Sequence, residues 1–141
     1  MTTEKVLVVE DDPHLLHFVE DALKIAEYDV RTAGDGEEAL GILAGWRPHV
    51  ILLDLNMPRM DGWDFCAARL QTDGLSTIPV VIMSSPDNLD GGPRPICKPV
   101  AQLRKPFDMS ELLSTVWSAA NPLPAVAHAW RATCPSCRRS Q

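Results

Sequence analysis

Six side chains, spaced along the first 105 residues, are of the types that could do chemistry together. Three acids in a row, Glu10-Asp11-Asp12, follow the apolar run Val6 to Val9, and a single acid, Asp54, follows the apolar run Val50 to Leu53. Ser84 follows Val80 to Met83, and Lys105 follows Leu103-Arg104. Carboxylates crowded into one crevice repel one another unless a cation sits among them, and a small site of oxygen ligands with room for water suits Mg²⁺. A hydroxyl and an ammonium beside a metal and a lone carboxylate supply a nucleophile, a hydrogen-bond donor and positive charge for the oxygens of a phosphoryl group. The chemistry implied is phosphoryl transfer onto Asp54, with the clustered acids as the cation site.

For these residues to meet, the runs that precede them must be parallel strands of one sheet. Val6 to Val9, Val50 to Leu53 and Val80 to Met83 are continuously apolar, as strands covered on both faces are. Asp29 to Ala33 and Val100 to Leu103 are weaker runs that predict strands nearer the edges. Stretches of helical period separate them: Pro13 to about Ala26, with Asp12 as cap and Leu15, Phe18, Val19 and Ala22 as its inner stripe; a helix after Asp35, with Glu38 reaching back and Ala39, Leu40, Leu43 and Trp46 inward; Gly62 to Leu70, with Trp63, Cys66, Ala67 and Leu70 inward; and a last helix capped by Asp108, with Leu113, Val116, Trp117 and Ala120 inward. Strands alternating with helices define an α/β domain whose ligands bind at the carboxyl edge of the sheet. Between the fourth and fifth strands, Pro86 to Pro99 holds four prolines and the pair Gly91-Gly92, too many breakers for a regular helix: each interior proline costs ~3 kcal/mol and each glycine ~1 kcal/mol.

 Pro86, Pro93, Pro95 and Pro99, with the glycine pair, predict a loop or one ragged turn in place of a helix.

Four stretches, each at the end of one of these runs, resemble the receiver domain of two-component response regulators: Val8-Val9-Glu10-Asp11-Asp12-Pro13, Leu53-Asp54-Leu55-Asn56-Met57-Pro58 with Asp61-Gly62, Pro79 to Ser84, and Lys105-Pro106-Phe107-Asp108. The resemblance spans residues 4 to 120. It implies a flavodoxin-like, doubly wound, five-stranded parallel sheet in the order 2-1-3-4-5, with the helix between the fourth and fifth strands short or absent here. It implies that Asp54 is the phosphoacceptor and that Ser84 and Lys105 contact the phosphoryl group. Asp11 is expected to bind Mg²⁺ directly, Glu10 mostly through water, and the backbone carbonyl of Asn56 to complete the protein ligands beside Asp54. It also implies a cis bond before Pro106. The donor would be the phosphohistidine of a sensor histidine kinase or a phosphotransfer protein, and the output contact with a downstream protein. The domain helps its own phosphorylation and dephosphorylation but is a signalling protein, not an enzyme in the ordinary sense.

Two departures from the family pattern stand out. Three residues before the lysine, where members usually carry Tyr or Phe, this chain has Gln102, so an aromatic rotamer switch is absent. The Pro/Gly-rich segment alters the usual output face. These favour, as an alternative, a receiver-like adaptor that works without phosphorylation. A Mg²⁺-dependent phosphohydrolase is the third reading; such enzymes of the haloacid-dehalogenase type place an acid two residues after the nucleophile, where this chain has Asn56, so the general acid is missing.

Composition agrees. With 141 residues, 19 acidic against 13 basic side chains and a net charge of −6, the chain fits one modest domain and lacks the basic footprint of direct DNA binding. No apolar run approaches the ~20 residues of a membrane span, and the N-terminus carries no secretory pattern, so a cytoplasmic location without membrane insertion is expected. On that ground Cys66, Cys97, Cys134 and Cys137 are expected as reduced thiols. Every acid lies in residues 1–120; residues 121–141 open with Asn121-Pro122-Leu123-Pro124 and read as a flexible C-terminal tail, too short for an effector domain. His128 with Cys134-Pro135-Ser136-Cys137 has zinc-like spacing but offers three ligands where a structural site wants four.

Overall fold

Strands apolar on both faces belong at the centre of a sheet with helices on either side. The computed structural model, which describes residues 4–55, 62–72, 74–85 and 99–121, has this arrangement. β1 (Lys5–Val9), β3 (Val50–Asp54) and β4 (Val80–Ser84) lie side by side, and β3 and β4 are buried along their whole length. β2 (Asp29–Ala33) and β5 (Ala101–Arg104) form the edges, with only Ala33 and Leu103 fully buried. The order is β2-β1-β3-β4-β5 and every pairing is parallel. All five strands therefore deliver their carboxyl ends to one edge.

Alternate residues of each strand feed two separate cores, as the period of two requires. Leu7, Val9, Ile51, Leu53 and Ile82 pack with Ala39 and Leu43 of α2 (Gly36–Leu43) and with Phe65 and Cys66 of α3 (Gly62–Leu70). Val8, Leu52, Val81, Met83 and Leu103 pack on the opposite face with Val19, Ala22 and Leu23 of α1 (Pro13–Ile25) and with Leu112, Val116 and Ala119 of α4 (Met109–Ala120). The predicted caps form. Asp12 Oδ1 accepts from the His14 amide at 3.0 Å, Asp35 Oδ1 from Glu38 at 2.8 Å and Asp108 Oδ1 from Glu111 at 2.8 Å. Each satisfies an amide that the first turn would leave without a partner. The Glu38 carboxylate reaches back one residue further than expected and accepts from Gly34 N at 3.3 Å.

Three inward stripes differ from expectation by a fraction of a turn. In α4 the buried line is Leu112, Val116 and Ala119, while Trp117 is 61% exposed. In α1 Leu23 goes inward and Phe18 stays 38% exposed. In α3 Phe65 and Arg69 are buried beside Cys66, and Ala67 and Leu70 only partly. Each helix carries apolar residues on both sides of its true stripe, so periodicity alone leaves the rotation open. Cys66 is disulfide-bonded, not a free thiol. The expectation rested on the expected cytoplasmic compartment, which does not say which sulfurs meet in space; the other three cysteines lie outside the described residues.

Arg69 was not singled out by the sequence. It is 3% exposed, and its Nη1 donates to the carbonyl oxygens of Leu75, Ser76 and Ile78 at 3.2, 3.1 and 3.0 Å. Burial pulls its guanidinium below the usual arginine range, and its Nε is buried with no partner among the described residues. It staples the chain that leads from α3 into β4.

The segment 86–98, where a short or absent helix is expected, and the tail 122–141, with His128, Cys134 and Cys137, lie outside the described residues. No described helix is long and apolar enough to cross a membrane.

Candidate functional site

The site forms where β1, β3, β4 and β5 end. Glu10 and Asp11 follow β1, Asp54 closes β3, Ser84 closes β4 and Lys105 follows β5. Ligand atoms of Glu10, Asp11 and Asp54 lie within 4.8 Å of one another. Glu10 and Asp54 are buried, and Asp11 is exposed. Lys105 reaches across the crevice: its Nζ donates to Glu10 Oε1 at 2.8 Å and to Asp54 Oδ1 at 3.3 Å. Its backbone is anchored next door, since Lys105 N donates to the Ser84 carbonyl at 2.7 Å. The Lys105-Pro106 peptide is cis. Asp12, as read from the sequence, points its carboxylate to the α1 cap, while its own amide donates to Glu10 Oε2 at 3.1 Å. Ser84 is 1% exposed, and its Oγ accepts from Gln102 Nε2 at 2.9 Å. Asn56 lies outside the described residues.

Electrostatically, two buried carboxylates share one ammonium. Burial pushes the Glu10 carboxyl up to about 7; the hydrogen bond from Lys105 opposes this and the neighbouring Asp54 charge adds to it. Burial alone would pull Lys105 down, but its hydrogen bond to Glu10 and the charges of Asp54 and Glu10 outweigh that and hold it above the usual lysine value. A carboxylate that resists ionising beside two others is short of positive charge. Three such oxygen donors, one open to solvent, suit a hard divalent cation that keeps some of its water.

A pH dependence follows for the metal-free protein. Because the Glu10 carboxyl titrates higher when folded, the unfolded chain ionises first as pH rises, so the stability Glu10 contributes is full below about 4.5 and is lost as pH rises through about 7. Urea midpoints measured in EDTA across this range are expected to fall more steeply for the wild type than for Glu10→Gln. Parallel pH profiles would contradict the assignment.

A doubly wound α/β domain with an acidic crevice and a lysine at the carboxyl edge of its sheet defines a class, and comparison with known proteins gives the family. The response regulator receiver domain matches residues 6–117. Protein PilG of Pseudomonas aeruginosa is 36% identical over 113 residues, covering 79% of this chain and 84% of PilG. The transcriptional regulatory protein PrrA of Mycobacterium tuberculosis is 35% identical over 117 residues, 82% of this chain but 49% of that protein; the chain thus spans about half of this larger relative. Among solved structures, the chemotaxis response regulator CheY4 of Vibrio cholerae superposes with a TM-score of 0.74 at 33% identity, over 84% of this chain and 99% of that one. The chain belongs to the response regulator receiver domain family, the signalling module of two-component systems.

The structure brings together Glu10, Asp11, Asp54 and Lys105, with Ser84 on the adjoining strand end. The sequence reading missed the bond between Gln102 and Ser84. The signal lay in the strand register, which a four-residue β5 with Leu103 as its one buried residue leaves undetermined.

Proposed function

We propose that this protein accepts a phosphoryl group on Asp54 from the phosphohistidine of a sensor histidine kinase or phosphotransfer protein, and signals by contact with a downstream protein. The observation that carries the reading is Lys105 held between Glu10 and Asp54, with Asp11 completing the acidic cluster. An Asp54 carboxylate oxygen bonds to phosphorus as the phosphorus–nitrogen bond of the donor breaks, and the departing imidazole keeps that electron pair and takes a proton. Lys105, already within hydrogen-bond reach of Asp54, turns its charge to the oxygens of the transferring group. Ser84 offers its hydroxyl to the same oxygens. Glu10, Asp11 and Asp54, with the Asn56 carbonyl, would hold Mg²⁺, whose chemistry is to neutralise charge gathering on the phosphoryl oxygens. Return of the phosphoryl group to water makes the domain a self-assisting phosphoacceptor. On this reading residues 1–120 are the receiver and 121–141 a separate tail, and the protein works in the cytoplasm without touching DNA itself.

Intact-protein mass after incubation with acetyl phosphate tests the proposal. A phosphoryl adduct is expected with Mg²⁺, none with EDTA, and peptide mapping is expected to locate it on Asp54. If no adduct forms although isothermal titration calorimetry reports Mg²⁺ binding, the adaptor reading motivated by Gln102 takes its place.

A further inference from the structure

Ser84 sits fully inside the protein, and a hydroxyl there has one proton to give and lone pairs with which to accept. Gln102 Nε2 donates to Ser84 Oγ at 2.9 Å, the one side-chain hydrogen bond of Ser84 among the described residues. Register explains how an exposed residue reaches a buried one. Across the β4–β5 ladder Ile82 faces Gln102 and Ser84 faces Arg104. Gln102 is therefore the diagonal neighbour of Ser84 on the same face of the sheet, within reach of a long side chain. Leu103 points the other way and packs with Val81 and Met83. On the opposite side of β4, Asp54 faces Met83, so Ser84 stands one residue beyond the level of Asp54.

An amide hydrogen directed at the hydroxyl oxygen occupies a lone pair and excludes the hydroxyl's own proton from that direction. We propose that Gln102 is a positioning residue: its amide holds Ser84 as a hydrogen-bond donor, with the hydroxyl proton turned away from β5 and available to a phosphoryl oxygen on Asp54. The inference rests on the phosphoacceptor reading and adds to it a specific role for the residue at the end of the sheet where an aromatic side chain is missing. Glutamate at position 102 would reverse the polarity, since a carboxylate can only accept and would take the Ser84 proton for itself. Leucine would keep the bulk and leave the hydroxyl free to rotate.

The test compares rates of adduct formation from acetyl phosphate and Mg²⁺ for the wild type, Gln102→Leu, Gln102→Glu, Ser84→Ala and the two double variants. Gln102→Glu is expected to slow phosphorylation about tenfold, close to Ser84→Ala, as loss of one hydrogen bond to a charged group would. Gln102→Leu is expected to slow it less. Neither should slow the Ser84→Ala protein further. If Gln102→Glu slows Ser84→Ala as much as it slows the wild type, the added charge acts through space and the proposal falls. Wild-type rates in both single variants would also overturn it. A wild type that forms no adduct at all would instead remove the phosphoacceptor reading on which it stands.

Discussion

Replacing Asp54 with asparagine is expected to abolish the phosphoryl adduct while leaving the fold intact. Asp54 is 2% exposed at the end of a strand buried along its whole length, so the substitution must preserve shape to be informative. Asparagine does so, and its amide oxygen can still accept from Lys105. What it removes, on the proposed reading, is the carboxylate oxygen that would attack phosphorus, and an amide has no comparable nucleophilicity. The loss should therefore be complete within detection in the intact-mass experiment. Removing that charge also relieves Glu10, because the Asp54 charge is one of the causes that hold its carboxyl up. Metal-free Asp54→Asn is thus expected to melt no lower than the wild type near neutral pH. An adduct of equal yield on Asp54→Asn would mean that another residue is the acceptor.

The second large effect concerns stability. Arg69→Met is expected to lower the unfolding free energy by about 3 kcal/mol, since the carbonyls of Leu75, Ser76 and Ile78 lose their shared donor and hydrogen bonds to a charged group are each worth ~1.5–3 kcal/mol. The sum is offset in part, because methionine does not carry a buried charge or the partnerless Nε. For a domain of this size such a loss lowers the melting temperature by roughly 10 °C. Arg69→Lys should recover little of it, as an ammonium on a shorter head cannot reach three carbonyls from the same helix position. A change under ~1 kcal/mol in Arg69→Met, measured by urea unfolding, would show that the three contacts do not hold the loop.

Different parts of the molecule were legible in the sequence for different reasons. Asp54, Glu10 and Lys105 could be placed together because each follows a run whose direction parallel pairing fixes, so order along the chain becomes position along one edge. Caps were readable for a similar reason: Asp12, Asp35 and Asp108 act on amides two or three residues away. Helix rotation was not. Trp117 and Leu112 are both apolar and differ by more than a full turn of chain, and only the shape of the opposing sheet decides that Leu112 goes in. Arg69 was hidden because its partners are backbone carbonyls, which no residue type announces. Gln102 drew notice only for what it replaces; its bond to Ser84 depends on a diagonal between strands that the sequence does not draw.

The order of strands also divides the sheet mechanically. Asp54 ends β3, braced by β1 on one side and β4 on the other, whereas Gln102 belongs to β5 and Lys105 follows it, and β5 pairs with β4 alone and has a single buried residue. A strand with one ladder and few packed side chains opens more easily than one clamped twice. The proposed acceptor thus sits on the stiffer member and its contacts on the more compliant one. On that footing β5 is the strand expected to exchange its amides first, at the rim of the sheet beside the acidic crevice.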